Sequence, residues 1–210
     1  MQHYAIMHDA TRFEFLRNLD PEALDNEFDR IFPARIGNLS ELHWTPVAIA
    51  KKAARLAAWK PRARILDAGS GAGKFCIIGA SVTDGFFVGV EQREYLVDIA
   101  RRTADRYRIP RIQFVHENIT DVDWSSFDSI YIYNPFSENL DENIRIDELC
   151  ELNFGLYFKY VNVVQEKLTF LASGTRVVTL NGFGGDFPPD YERAHREIIQ
   201  QLPLEVWIRK

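Results

Sequence analysis

The sequence predicts an α/β protein: a doubly wound, mostly parallel sheet with helices on both faces and a helical cap at its amino end. Three observations carry that expectation. Short apolar runs near 64–68, 86–90, 112–115, 127–133 and 175–180 alternate with segments of helical spacing, the pattern of repeated strand–helix–strand units. A turn containing Gly69, Gly71 and Gly73 follows the first run, at the place where open parallel sheets bind their ligands. A chain of 210 residues fits one such domain and can bury most of its apolar surface.

Residues 1–44 make the cap. Helices are predicted at 10–19 and 21–32, the second with Asp20 as N-cap and Pro21 at the first helical position. Gly37-Asn38 brings turn chemistry to 33–42. No linker-like run or repeat separates this segment from 45–210, so it reads as part of the same domain. It either packs on the sheet edge or acts as a lid, with Glu41, His43 and Trp44 facing the pocket. Thr45-Pro46 then opens a helix to about Trp59, whose alanines allow close packing on the sheet.

Ile65 and Leu66 supply the first strand, Asp67 stands at its carboxyl end, and Phe75, Ile77 and Ile78 belong to the helix beyond the turn. Thr83-Asp84-Gly85 turns into the second strand, which Glu91 ends. Leu96, Ile99, Ala100 and Thr103 line one face of a helix that stops before Pro110. The third strand leads to His116-Glu117-Asn118-Ile119, and the fourth to Asn134-Pro135-Phe136. A long helix is predicted at 147–172, stopped by Ser173-Gly174, with Phe154, Tyr157, Phe158 and Tyr160 read as core ahead of a substrate shelf. After the fifth strand, the loop 181–189 lies at the same sheet edge as the glycine turn, placed to gate it. A helix at 191–201 and a strand at 204–208 finish the chain.

Composition narrows the function classes. Hydrophobic residues make up 46% and charged residues 26%, ordinary for a soluble globular protein. No run approaches a membrane span of about 18 apolar residues, and Met1-Gln-His-Tyr lacks the basic and apolar regions of a secretion signal. Cys76 and Cys150 are too few and too far apart for a disulfide framework or a zinc site; a reducing cytoplasm suits them. The net charge of -5 disfavours an extensive nucleic-acid surface, which leans on clustered Lys and Arg.

Spacing separates the nucleotide-binding patterns that compete for the glycine turn. A P-loop requires Gly where Ala68 stands and Ser or Thr where Phe75 stands. A dinucleotide fingerprint begun at Gly69 requires Gly at Lys74, and one begun at Gly71 requires it at Cys76. What fits is acidic-x-Gly-x-Gly-x-Gly, from Asp67 to Gly73. This resembles the first motif of the class I S-adenosylmethionine-dependent methyltransferases, and the resemblance covers about residues 45–180. It implies a Rossmann-like fold, S-adenosyl-L-methionine as cofactor and no metal. The methyl acceptor, small molecule or protein, is left unidentified, as is the oligomeric state.

The resemblance also assigns roles. Asp67, beside the turn of Gly69, Ser70, Gly71 and Gly73, receives the cofactor's ammonium group directly or through water. Glu91, 18 residues after Gly73, hydrogen-bonds the ribose hydroxyls, with Gln92 beside it. Asn118 stands where the family commonly carries the Asp that meets the adenine amino group; Ile119 adjoins it and Glu117 is the rival. Asn134-Pro135-Phe136 looks like a shortened Asn-Pro-Pro-Tyr/Phe motif of amino-group methyltransferases, in which Asn holds the acceptor and the ring stacks on a flat substrate. The single Pro disfavours base methylation, and a weaker resemblance runs to the non-SET histone-lysine methyltransferases. Tyr133 and Asn134 are thus the candidate catalytic residues, Asn134 also touching the cofactor. The family's sheet ends in an antiparallel strand for which 204–208 leaves no further segment. The competing readings are an NAD-dependent oxidoreductase and a non-catalytic S-adenosylmethionine-binding protein.

Overall fold

Five of the expected strands lie side by side and parallel. A computed structural model describes residues 25–210; the helix expected at 10–19 and the Asp20-Pro21 start of the next lie outside the described residues. Strands β1 (Arg64–Ala68), β2 (Phe86–Glu91), β3 (Ile112–His116), β4 (Ser129–Tyr133), β5 (Arg176–Leu180), β6 (Tyr191–Ile199) and β7 (Leu202–Arg209) form one sheet of order β3-β2-β1-β4-β5-β7-β6. β1 to β5 are parallel, whereas β7 runs antiparallel to both β5 and β6. The helices are α1 (Asp25–Asp29), α2 (Ala34–Gly37), α3 (Ser40–His43), α4 (Val47–Ala57), α5 (Lys74–Val82), α6 (Glu94–Tyr107) and α7 (Phe154–Thr169).

The pleat divides the core in two. Ile65, Phe87, Tyr131 and Val178 face α4, α5 and α6, while Leu66, Val88, Ile130 and Val177 face α7. Burial on both faces is why β1, β2, β4 and β5 read as continuous apolar runs rather than alternating ones; β3, at the sheet edge, buries only Phe114 fully. The chain winds outward from β1 through β2 to β3, then returns to place β4 on the other side of β1. The order therefore reverses between β1 and β4, and a crevice opens at their carboxyl ends.

Four expectations are corrected. The helix expected at 21–32 is, within the described residues, the five-residue α1 followed by a turn. The turn expected within 33–42 is confined to residues 38–39, between α2 and α3. The helix expected at 147–172 begins only at Phe154, because Asn153 caps it by accepting from the Leu156 N–H at 2.9 Å. Upstream, Asp147 is drawn away to Arg93 and Tyr95. The fourth correction is the largest: 191–201 is not a helix but strand β6, so the antiparallel strand that looked missing is β7 and the hairpin closes the edge. Gln200 and Gln201 both take positive φ, 50° and 69°, the backbone that turns a two-residue hairpin. Glu205 on β7 accepts from Arg193 and Arg196 on β6, so the charges of this segment serve cross-strand pairing.

Candidate active site

The crevice at the switch point is a real cleft. Gly69 leaves β1 at φ 86°, and a Cβ placed there would stand 3.2 Å from Pro135 Cβ, so the turns after β1 and β4 meet across the cleft floor. Its walls bring together Gly69, Glu91, Gln92, Asn118, Ile119, Tyr133 and Asn134 among the residues singled out from sequence. His43 and Trp44 from the cap line it as well, together with Phe136, Tyr160 and Asn181.

Asp67, Ser70, Gly71 and Gly73 lie beneath this surface rather than on it. The Asp67 side chain is 4% exposed and accepts the Cys76 thiol at 3.3 Å; burial pushes its carboxyl up to about 7, against that thiol contact. Ser70 is buried with its hydroxyl unpartnered among the described residues. Gly71 is roofed by Trp44, whose ring would lie 2.0 Å from a Cβ at that position. Gly73 is filled in by Phe114. Two glycines predicted to face a ligand thus admit aromatic rings, an equally strict reason for having no side chain.

Glu91 stands where the sequence placed it, at the end of β2, and is nearly sealed. One carboxylate oxygen accepts from Gly71 N–H at 3.1 Å and the other from Arg93 N–H at 2.9 Å. Burial raises its pKa, opposed by these bonds and by the Arg93 charge. Asn118 is committed too: its oxygen accepts from the Thr120 N–H and hydroxyl, and its Nδ2 donates to Tyr160. Glu117, the rival, is exposed and does not line the cleft.

The β4 side differs. Asn134 holds a φ of 35°, and its backbone N–H donates to the Gly182 carbonyl at 3.2 Å. Asn181, one strand over, is at φ 59°. Such left-handed backbone in non-glycine residues stores strain that the surrounding fold must hold. No side-chain hydrogen bond engages Tyr133, Asn134, Asn181 or His43 within the described residues. Burial raises the Tyr133 hydroxyl's pKa, keeping it a neutral donor.

Two groups escaped the sequence reading. Arg93, 4% exposed, donates to both oxygens of Glu138 and through Nε to Asp147 at 3.1 Å, while Tyr95 donates to the same Asp147. It clasps the segment after Asn134 to the end of β2. Lys74, 2% exposed, contacts the carboxylates of Asp25 at 2.6 Å and Asp29 at 2.9 Å and donates to Ser40 at 2.7 Å. It moors the cap to the glycine turn. Partners 34 to 54 residues away leave no local signal in either case. Among the described residues no cluster of His, Cys, Asp and Glu offers a metal site, and no helix is long and apolar enough to cross a membrane.

Comparisons with known proteins agree with this fold. TrmN from Thermus thermophilus matches with a TM-score of 0.64 at 20% identity over 84% of this chain, which spans about half (52%) of TrmN's length. An RNA methyltransferase from Salinibacter ruber, in complex with S-adenosyl-L-homocysteine, matches at 0.58 and 20% identity over 79% of this chain and 92% of its own. A mutant of MtNAS in complex with S-adenosylmethionine matches at 0.57 and 12% identity over 96% and 77%. These likenesses establish the Rossmann-like methyltransferase sheet. A search of curated proteins finds no match. The family model described as a methyltransferase domain matches residues 60–172, more than half of the sequence, and the chain belongs to that methyltransferase family.

Proposed function

We propose that the cleft between Gly69 and Asn134 holds S-adenosyl-L-methionine and that the enzyme passes its methyl group to an amine. The observation that carries this is the meeting of the two turns at the switch point with the Glu91 carboxylate in the wall. Glu91 retains lone pairs for vicinal ribose hydroxyls, and its negative charge disfavours a phosphorylated ribose. Gly69, Gln92, Ile119 and Asn118 line the rest of the cofactor's path, with Asn118 offering shape more than a free hydrogen bond. Asp67, Ser70, Gly71 and Gly73 act from below by shaping the turn on which the cofactor would rest. When bound, the cofactor supplies an electrophilic methyl group on a sulfonium. The chain's part is to orient the acceptor through Asn134 and Tyr133 and to exclude water.

An amine suits the rim. The segment 137–151 carries Glu138, Asp141, Glu142, Asp147, Glu148 and Glu151 against its own Arg145 and the Arg93 that pairs Glu138 and Asp147, a net negative field that attracts cations and repels phosphates. Phe154 and Phe158 stand exposed beside it at 4.9 Å centroid separation. The cap 1–44 and domain 45–210 then work as one unit, the cap covering the turn through Trp44. A site in the cytoplasm fits the unpaired cysteines.

Titration calorimetry tests the cofactor. S-adenosylmethionine and S-adenosylhomocysteine are expected to bind and NAD not, and Glu91→Gln is expected to weaken both by about 1.5–3 kcal/mol, the scale of a hydrogen bond to a charged group. Preferential binding of NAD overturns the assignment.

A further inference from the structure

The cleft contains one base with nothing to do. Of its titratable lining residues, Glu91 holds two backbone N–H groups, Glu138 holds Arg93 and the Ile146 N–H, and Arg93 is consumed by Glu138 and Asp147. The Tyr160 hydroxyl accepts from Asn118. His43, at the end of α3, touches Trp44 at 5.9 Å between ring centroids, and no hydrogen bond engages its imidazole within the described residues. It is half-buried and lines the same cleft as Tyr133 and Asn134. Glu41, the other titratable cap residue expected to face the pocket, is exposed and outside the cleft.

We propose that His43 is the general base of the transfer, taking a proton from the acceptor nitrogen before the methyl group arrives. The proposal rests on the cofactor reading above. An amine in water is mostly ammonium, which has no lone pair to offer; the acidic rim favours that charged form on approach. The proton passes to the imidazole, and the freed lone pair forms the new N–C bond. The C–S pair stays on sulfur as the thioether, and the imidazolium releases its proton to water. His43 is suited to this because burial lowers its pKa, so the ring is a neutral acceptor at neutral pH. The charges facing it are Glu138, which opposes that shift, and Arg93, which adds to it. Glu91 and Tyr133 share the cleft, Glu91 fixed by its two backbone bonds and Tyr133 neutral.

The test begins with the imidazole itself. Histidine C–H resonances followed against pH, with His43 assigned by its loss in His43→Gln, are expected to titrate below the ordinary value of about 6.5. S-adenosylmethionine should lower that midpoint by about half a pH unit relative to S-adenosylhomocysteine, because only the former places a positive charge within about 10 Å. With poly-L-lysine as acceptor, transfer should fall on acidification through the His43 midpoint. His43→Gln should keep its S-adenosylhomocysteine affinity, lose tenfold or more in rate, and show no such acid limb. If calorimetry shows both ligands bound and the His43 midpoint is the same in each, the base is overturned and the cofactor reading stands. If neither ligand binds, both fall. Equal transfer by wild type and His43→Gln, or none by either, overturns the proton step.

Discussion

The two walls of the cleft are built on opposite plans. On the β1–β2 side the charged groups are spoken for: the Glu91 carboxylate holds two backbone N–H groups, Asp67 holds Cys76, and Lys74 locks the cap down, while Trp44 roofs Gly71. On the β4–β5 side, Tyr133, Asn134 and Asn181 keep their side chains free, and two of them sit in strained backbone. On the proposed function, the first wall is the mould for the cofactor and the second is left open for the acceptor, steadied from outside by the Arg93 clasp rather than by its own bonds. That proposal puts stability on one side and chemistry on the other, and substitutions can separate them.

The largest effect is expected at the closed wall. Lys74→Met removes the charge between Asp25 and Asp29 and leaves Asp29, 6% exposed, without its cation. Breaking a buried pair from one side costs about 3–5 kcal/mol, so urea unfolding should show a loss of about 3 kcal/mol and the cap should become protease-sensitive before the sheet. A loss under about 1 kcal/mol would mean that Trp44 on Gly71, not the lysine, moors the cap.

Asp67 probes the same wall through pH. Its carboxyl titrates near 3.8 in an unfolded chain and is pushed up to about 7 in the fold. Between those values the unfolded chain has released the proton and the folded chain keeps it, so the site's contribution to stability falls as pH rises through that window. Above it both states are ionised and the cost is constant. Asp67→Asn can still accept from Cys76 but cannot titrate. The difference in unfolding free energy between pH 4 and pH 8 should shrink by about 2–4 kcal/mol in thermal or urea titrations. An unchanged profile would show that the carboxylate is stabilised from the cleft side and belongs on its surface.

What could be read from the sequence follows from how local each signal is. β1, β2, β4 and β5 were legible because both faces of each strand are buried, and β3, at one edge, because Ile112, Phe114 and Val115 still give a short apolar run bounded by turns. β6 was not, because it lies at the sheet edge, and Glu192, Arg193, Ala194, Arg196 and Ile198 are exposed. Helix-favouring residues on such a strand carry no period-2 apolar pattern, and only pairing with β7 decides the outcome. The positions of the glycine turn, Glu91 and Asn134 around the cleft were legible because each sits at a strand end, within a few residues of its own context. The Arg93 clasp and the Lys74 mooring were not, since their partners come from elsewhere in the chain. Even the legible glycines held a surprise: Gly71 and Gly73 are small for Trp44 and Phe114.

The smallest effect on stability, and the sharpest on chemistry, is expected at Asn134. At φ 35° its backbone is strained for any residue with a Cβ and free of strain for glycine. Asn134→Gly relieves that strain but adds backbone entropy to the unfolded chain, two effects of about 1 kcal/mol that oppose each other. Unfolding free energy should therefore stay within about 1 kcal/mol of wild type. Affinity for S-adenosylhomocysteine, set mainly by the closed wall, should change less than threefold. Methyl transfer to poly-L-lysine should nonetheless fall tenfold or more if, as proposed, the Asn134 amide orients the acceptor and its loss misaligns the reacting atoms. Should transfer survive while stability holds, Asn134 is retained for its turn alone, and orientation of the acceptor passes to Tyr133 and Asn181, the other two free side chains of that wall.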